Sequence, residues 1–106
     1  MKSAEREYMG RVAELCCIAC KRIGYSDTPA EVHHVRFNVG MGQRASNYDT
    51  IPLCPHHHRH GSDAIHRSKK SFEESYGTEQ ELLAEVQYAL GYKAALSERG
   101  LEGPPI

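Results

Sequence analysis

The sequence predicts a small α+β domain organised around zinc, and three observations carry that expectation. Cys17-Ile-Ala-Cys20 and Cys54-Pro-His-His57 are two knuckles with the same two-residue spacing. Between them lie EVHHVRF (residues 31–37) and YDTIPLC (48–54), whose β-branched and aromatic content suits short strands. Beyond them helical patterning takes over, with Thr78 and Glu81 spaced as a capping box.

The elements follow in chain order. Residues 3–15 read as a short helix capped by Ser3, with Tyr8, Val12 and Leu15 on one side. CCIACKRIGYSDTPA is a turn-rich metal knuckle. The first strand covers 31–37, and the loop NVGMGQRASN draws backbone freedom from Gly40 and Gly42. Pro52 confines the second strand to an edge or to its own end. Pro55 suits a first helical turn, so a helix is expected from Cys54 until Gly61 interrupts it. KKSFEESY is helical up to Gly77. A final helix over 78–98 carries Leu82, Leu83, Val86, Leu90 and Ala94 as its apolar stripe. The chain therefore divides into an N-terminal helix (1–16), knuckles and core (17–66), C-terminal helices (67–98) and a tail (99–106).

A length of 106 residues is one domain, and a core this small gains from a structural metal. The net charge of −1 argues against a strongly basic nucleic-acid binder. Bound cations weaken that argument, because they add charge where a phosphate would approach. Arg36, Arg44, Arg59, Arg67, Lys69 and Lys70 surround the histidines, while acids dominate 73–85. No apolar stretch reaches the about 18 residues of a membrane span, and the first residues lack the apolar core of a signal peptide. The expectation is a cytoplasmic protein, where four cysteines serve as thiolate ligands more readily than as disulfides.

Cys17, Cys20, Cys54 and His57 can close a tetrahedral Cys₃His zinc site. Cys16 competes with Cys17, but only Cys17 has the two-residue spacing to Cys20. A redox pair would want a βαβ setting, which is absent, and buried metal-free thiols are the remaining alternative. Four protein ligands leave no open position, so this zinc is structural.

Six histidines remain: His33, His34, His56, His58, His60 and His66. As neighbours on a strand, His33 and His34 point to opposite sides, so one can ligate a cation while the other takes a proton from water. Phosphodiester hydrolysis needs that pair of functions, a cation for the oxygen charge and a base near neutral pKa. Taken alone, His34 would more often be a buried, hydrogen-bonded histidine; His33 and the knuckles favour catalysis. His56 and His60 read as solvent-facing or phosphate-contacting.

CIAC (17–20), VHHV (32–35), GMGQRASN (40–47), IPLCPHHH (51–58) and FEESYGTEQELL (72–83) resemble the HNH endonucleases. Within them the chain is most similar to the RecA-dependent nuclease group of phages. The resemblance implies a ββα-metal (His-Me finger) fold with one divalent cation, Mg²⁺, Mn²⁺ or Zn²⁺, on a hairpin and helix. His33 and His58 would ligate the cation, His34 would be the general base, and Asn47 would orient it, with Asp49 a nearby competitor. Position 62, where a third ligand is expected, is Ser, and HGSDAI departs from the pattern. His66 is assigned in its place, with His60 and Asp63 as alternatives. The resemblance also implies DNA as substrate, a recombination or phage setting and a RecA filament as candidate platform. Arg36, Arg44, Arg59, Lys69 and Lys70 are either DNA-backbone contacts or an ordinary solvated face. Two other functions compete: a non-catalytic zinc module for nucleic acid or protein, and a metal store.

Overall fold

A computed structural model of the chain describes residues 3–36 and 46–91. Arg44, Gly40, Gly42, Ala94 and the tail lie outside them, as do the last residues expected of the first strand and the final helix.

Helix α1 spans Ser3–Glu14, with Glu5 in its first turn and Arg11 in its last, each matched to the helix dipole. Tyr8 and Val12, one turn apart, are its buried residues. Leu15 falls just outside it. The chain turns at Cys16, whose φ of +67° is left-handed. That conformation costs a non-glycine residue about 1–2 kcal/mol, and it delivers Cys17 into the interior. Cys17 then caps the five-residue helix α2 (Ile18–Arg22) with its own sulfur, which accepts from the Cys20 N–H at 3.4 Å.

Strands β1 (Glu31–His34) and β2 (Thr50–Leu53) pair antiparallel, with His33 opposite Ile51 and His34 opposite Thr50. Both are shorter than the sequence runs implied, although the Val35 N–H still donates to the Asp49 carbonyl at 2.9 Å. Pro52 sits inside β2 opposite Val32. A two-stranded sheet consists of edges, so the missing N–H is tolerated. All four residues of β2 are buried, since α1, α2 and helix α4 (Glu79–Ala89) pack against it.

The helix expected from Cys54 is instead a five-residue π-helical turn, His56–His60. The Gly61 N–H closes it on the His56 carbonyl at 2.7 Å. A Cβ at Gly61 would lie 2.8 Å from the His56 ring and 2.9 Å from its carbonyl oxygen, so the closure requires glycine. The chain then folds back along this turn: Ile65 N–H donates to the His57 carbonyl and His66 N–H to the His58 carbonyl. Helix α3 (Lys69–Tyr76) is capped by Ser68 and ends at Gly77, whose φ is +114°. Thr78 and Glu81 form the complete capping box of α4. Phe72, Ile51, Leu53, Leu82, Val12 and Val86 make the centre of the core. Among the described residues no helix is long and apolar enough to cross a membrane.

Candidate metal centres

Cys17, Cys20, Cys54 and His57 come together as a buried cluster. The His57 Nδ1 lies 3.7, 3.4 and 3.3 Å from the sulfurs of Cys17, Cys20 and Cys54, and Cys20 Sγ lies 3.9 Å from Cys54 Sγ. A tetrahedron with zinc bond lengths of about 2.3 Å to sulfur and about 2.0 Å to nitrogen has edges of about 3.8 and about 3.5 Å. The donor set therefore has the dimensions of a zinc site and could hold a structural zinc. Burial pushes the Cys17 thiol up to about 12, so thiolate here depends on a cation to carry the charge. Burial lowers His57, which keeps the imidazole neutral as a ligand must be. Its ring meets Tyr76 edge-on at 4.8 Å, and the Tyr76 hydroxyl donates to Asp63 at 2.7 Å. Cys16 stays outside the cluster, with its sulfur toward the Glu14 carbonyl.

A second cluster joins β1, the π-helical turn and the returning chain. His33 Nδ1 is 3.2 Å from His58 Nε2, which is 2.9 Å from His66 Nε2. The outward nitrogens of two of these rings are engaged: His33 Nε2 with Glu79 Oε2 at 2.8 Å, and His58 Nδ1 with Glu31 Oε1 at 2.6 Å. A carboxylate only accepts, so each outward nitrogen carries the proton and each inward nitrogen presents a lone pair. Two such lone pairs 3.2 Å apart repel unless a proton or a metal cation lies between them. Nitrogens on one ion at ordinary bond lengths are about 3.3 Å apart in tetrahedral geometry and about 3.0 Å apart in octahedral geometry. The chemistry fits a three-imidazole metal site with carboxylates oriented behind it, an arrangement that leaves coordination positions open.

Each carboxylate is itself paired with a cation, Glu79 with Lys69 at 3.0 Å and Glu31 with Arg59 at 2.8 Å. Burial alone would raise Glu79, but the bonds from His33 and Lys69 outweigh it and hold it below the ordinary carboxylate value. The hydrogen bond from His58 lowers Glu31 in the same direction. Burial lowers His58 and His66; at His58 the hydrogen bond to Glu31 opposes this, and neighbouring positive charge adds to it at both. Arg59 and Lys69, both candidates for the DNA backbone, are thus engaged in these ion pairs. Lys70 and Arg36 are exposed.

His34 points to the other face of the hairpin, toward α1, and its Nε2 lies 2.9 Å from Asn47 Oδ1. Asp49, the competing position, accepts instead from Gln87 at 3.4 Å. Asp63 is taken by Tyr76, and neither it nor His60 belongs to the second cluster. Sequence reasoning missed Glu31 and Glu79 altogether. Glu31 carried a signal, since it shares a strand face with His33 two residues on. Glu79 carried none, because 46 residues separate it from His33.

The structure is thus a small α+β protein with a buried Cys₃His cluster that could hold a structural zinc and a second set of convergent imidazoles, His33, His58 and His66, that could hold an ion. Residues 2–90 match the model of the family described as recombination enhancement, RecA-dependent nuclease, and the chain belongs to that family. No curated protein matches the sequence.

Proposed function

We propose that the chain is a metal-dependent HNH endonuclease that hydrolyses DNA phosphodiester bonds, phage-derived and linked to recombination. The observation that carries this reading is the second cluster, three imidazoles with carboxylates behind two of them, beside a His34–Asn47 pair. A zinc module would need only the knuckles, and a metal store would not need oriented rings. In this reading residues 17–66 form a ββα-metal core within a single domain: the hairpin supplies His33, the π-helical turn supplies His58, and His66 completes the set.

Held by His33, His58 and His66, a divalent cation would supply positive charge to offset the negative charge that develops on the phosphate oxygens. His34 Nε2–H donates to Asn47, which leaves Nδ1 with a lone pair to take a proton from the attacking water. The water oxygen forms the new bond to phosphorus as the bridging oxygen leaves. Three imidazoles suit Zn²⁺ or Mn²⁺ better than Mg²⁺, which prefers oxygen donors and keeps its waters. A net charge of −1 gives little intrinsic affinity for DNA, which supports recruitment by a RecA filament in the cytoplasm of a bacterial host.

The test is nicking of supercoiled and single-stranded DNA with each metal, with and without RecA filaments, comparing wild type with His34→Ala. The expected result is metal-dependent cutting that falls by about 10²–10⁴-fold in the variant, with zinc content unchanged. If neither protein cuts under any condition while both stay folded with zinc bound, the binding-module reading replaces this one.

A further inference from the structure

The base candidate is held by a chain of contacts that extends one residue beyond Asn47. The Asn47 Nδ2 donates to Glu5 Oε1 at 3.4 Å, while its Oδ1 faces His34 at 2.9 Å. Glu5 is half-buried in the first turn of α1. That helix is seated on the hairpin by Val12 and by Tyr8, whose ring packs on Tyr48 at 5.0 Å. The Asn47 backbone is anchored independently, since Thr50 donates its hydroxyl to the Asn47 carbonyl at 3.2 Å. Thr50 is in turn the cross-strand partner of His34.

An amide side chain has one accepting and one donating end, of nearly the same shape, so its neighbours decide which way it points. A carboxylate is the neighbour that decides most firmly, because it can only accept. With Glu5 on one side, a reversed Asn47 would set oxygen against oxygen. Asn47 must therefore turn its NH₂ to Glu5 and its oxygen to His34. An oxygen facing Nε2 requires a proton on Nε2, and the lone pair then falls on Nδ1.

We propose that Glu5 is a positioning residue for His34: by fixing the orientation of the Asn47 amide, it selects the His34 tautomer whose Nδ1 is free to accept a proton. The N-terminal helix is on this account part of the site and not only a cover for the hairpin. The proposal rests on the nuclease reading for the role of His34, but the tautomer itself is measurable without any cleavage.

The test reads imidazole nitrogen shifts by NMR on the zinc-loaded full chain, in alkaline solution where imidazoles are neutral. Wild type is expected to show His34 as the pure Nε2–H form. Glu5→Gln can donate or accept, so it should give a mixture of tautomers, with DNA cleavage down about tenfold, part of the about 10²–10⁴ a positioned base contributes. Glu5→Lys can only donate, and should invert His34 to the Nδ1–H form. Adding Asn47→Asp to Glu5→Gln should restore the Nε2–H form, because Asp presents oxygen at both ends. A merely structural role in α1 would lower the melting temperature of the Glu5 variants and leave the tautomer unmoved. A pure Nε2–H form in folded Glu5→Gln or Glu5→Lys overturns the proposal. If the tautomer series holds but wild type cuts no DNA, the nuclease reading has failed and the orientation chain stands.

Discussion

Replacing Glu79 by alanine should weaken metal binding at the three-imidazole centre without touching any ligand. Glu79 bonds His33 Nε2 at 2.8 Å, and its side chain is only 7% exposed, so water replaces it as acceptor less readily than at an exposed position. Losing such a partner typically costs about 10–100-fold in metal affinity, or about 1.4–2.7 kcal/mol. A buried, unsatisfied His33 N–H adds about 1–3 kcal/mol to the loss of stability. Glu31 provides the internal comparison. It plays the same part behind His58 but is 31% exposed, so water can replace it and Glu31→Ala should have the smaller effect. The assay is Co²⁺ or Zn²⁺ titration against a chromophoric chelator, after the knuckle site has been filled. Equal affinities for wild type and folded Glu79→Ala would refute the orienting role, and a larger effect from Glu31→Ala would refute the burial argument.

Two further predictions concern the scaffold. Cys17→Ser should lose the structural zinc and most of the fold, whereas Cys16→Ser should keep both, as read by zinc content and circular dichroism; chelation of wild type should mimic Cys17→Ser. Gly61→Ala should lower stability by about 1–3 kcal/mol in thermal melts. Its Cβ would meet the His56 ring and carbonyl at 2.8–2.9 Å, and the displaced turn should also weaken metal binding through His58.

The features legible in the sequence are the local ones. The knuckle spacings are short-range geometry, so Cys17, Cys20, Cys54 and His57 could be named as a tetrahedron before any fold was known. The Thr78–Glu81 cap and the alternation of His33 and His34 are likewise set by spacings of three residues and one. The π-helical turn was not legible, because Gly61 signalled only an interruption and the His56–Gly61 closure is seen only in the folded chain. His66 could be nominated but not distinguished by spacing from His60 or Asp63.

The tertiary structure brings His66, and not His60 or Asp63, to His33 and His58. Backbone bonds from Ile65 to His57 and from His66 to His58 carry the His66 ring to the His58 ring. The capping box starts α4 where Glu79, its first residue, meets His33. Packing of α1 on the hairpin brings Glu5 to Asn47 across 42 positions of sequence. A candidate ligand set can be written in residue types and spacings, and both candidate clusters could be nominated from this sequence. What would orient those ligands, or aim a base, depends on single hydrogen bonds between elements far apart in the chain. Those bonds exist only once the core has closed and set the elements side by side.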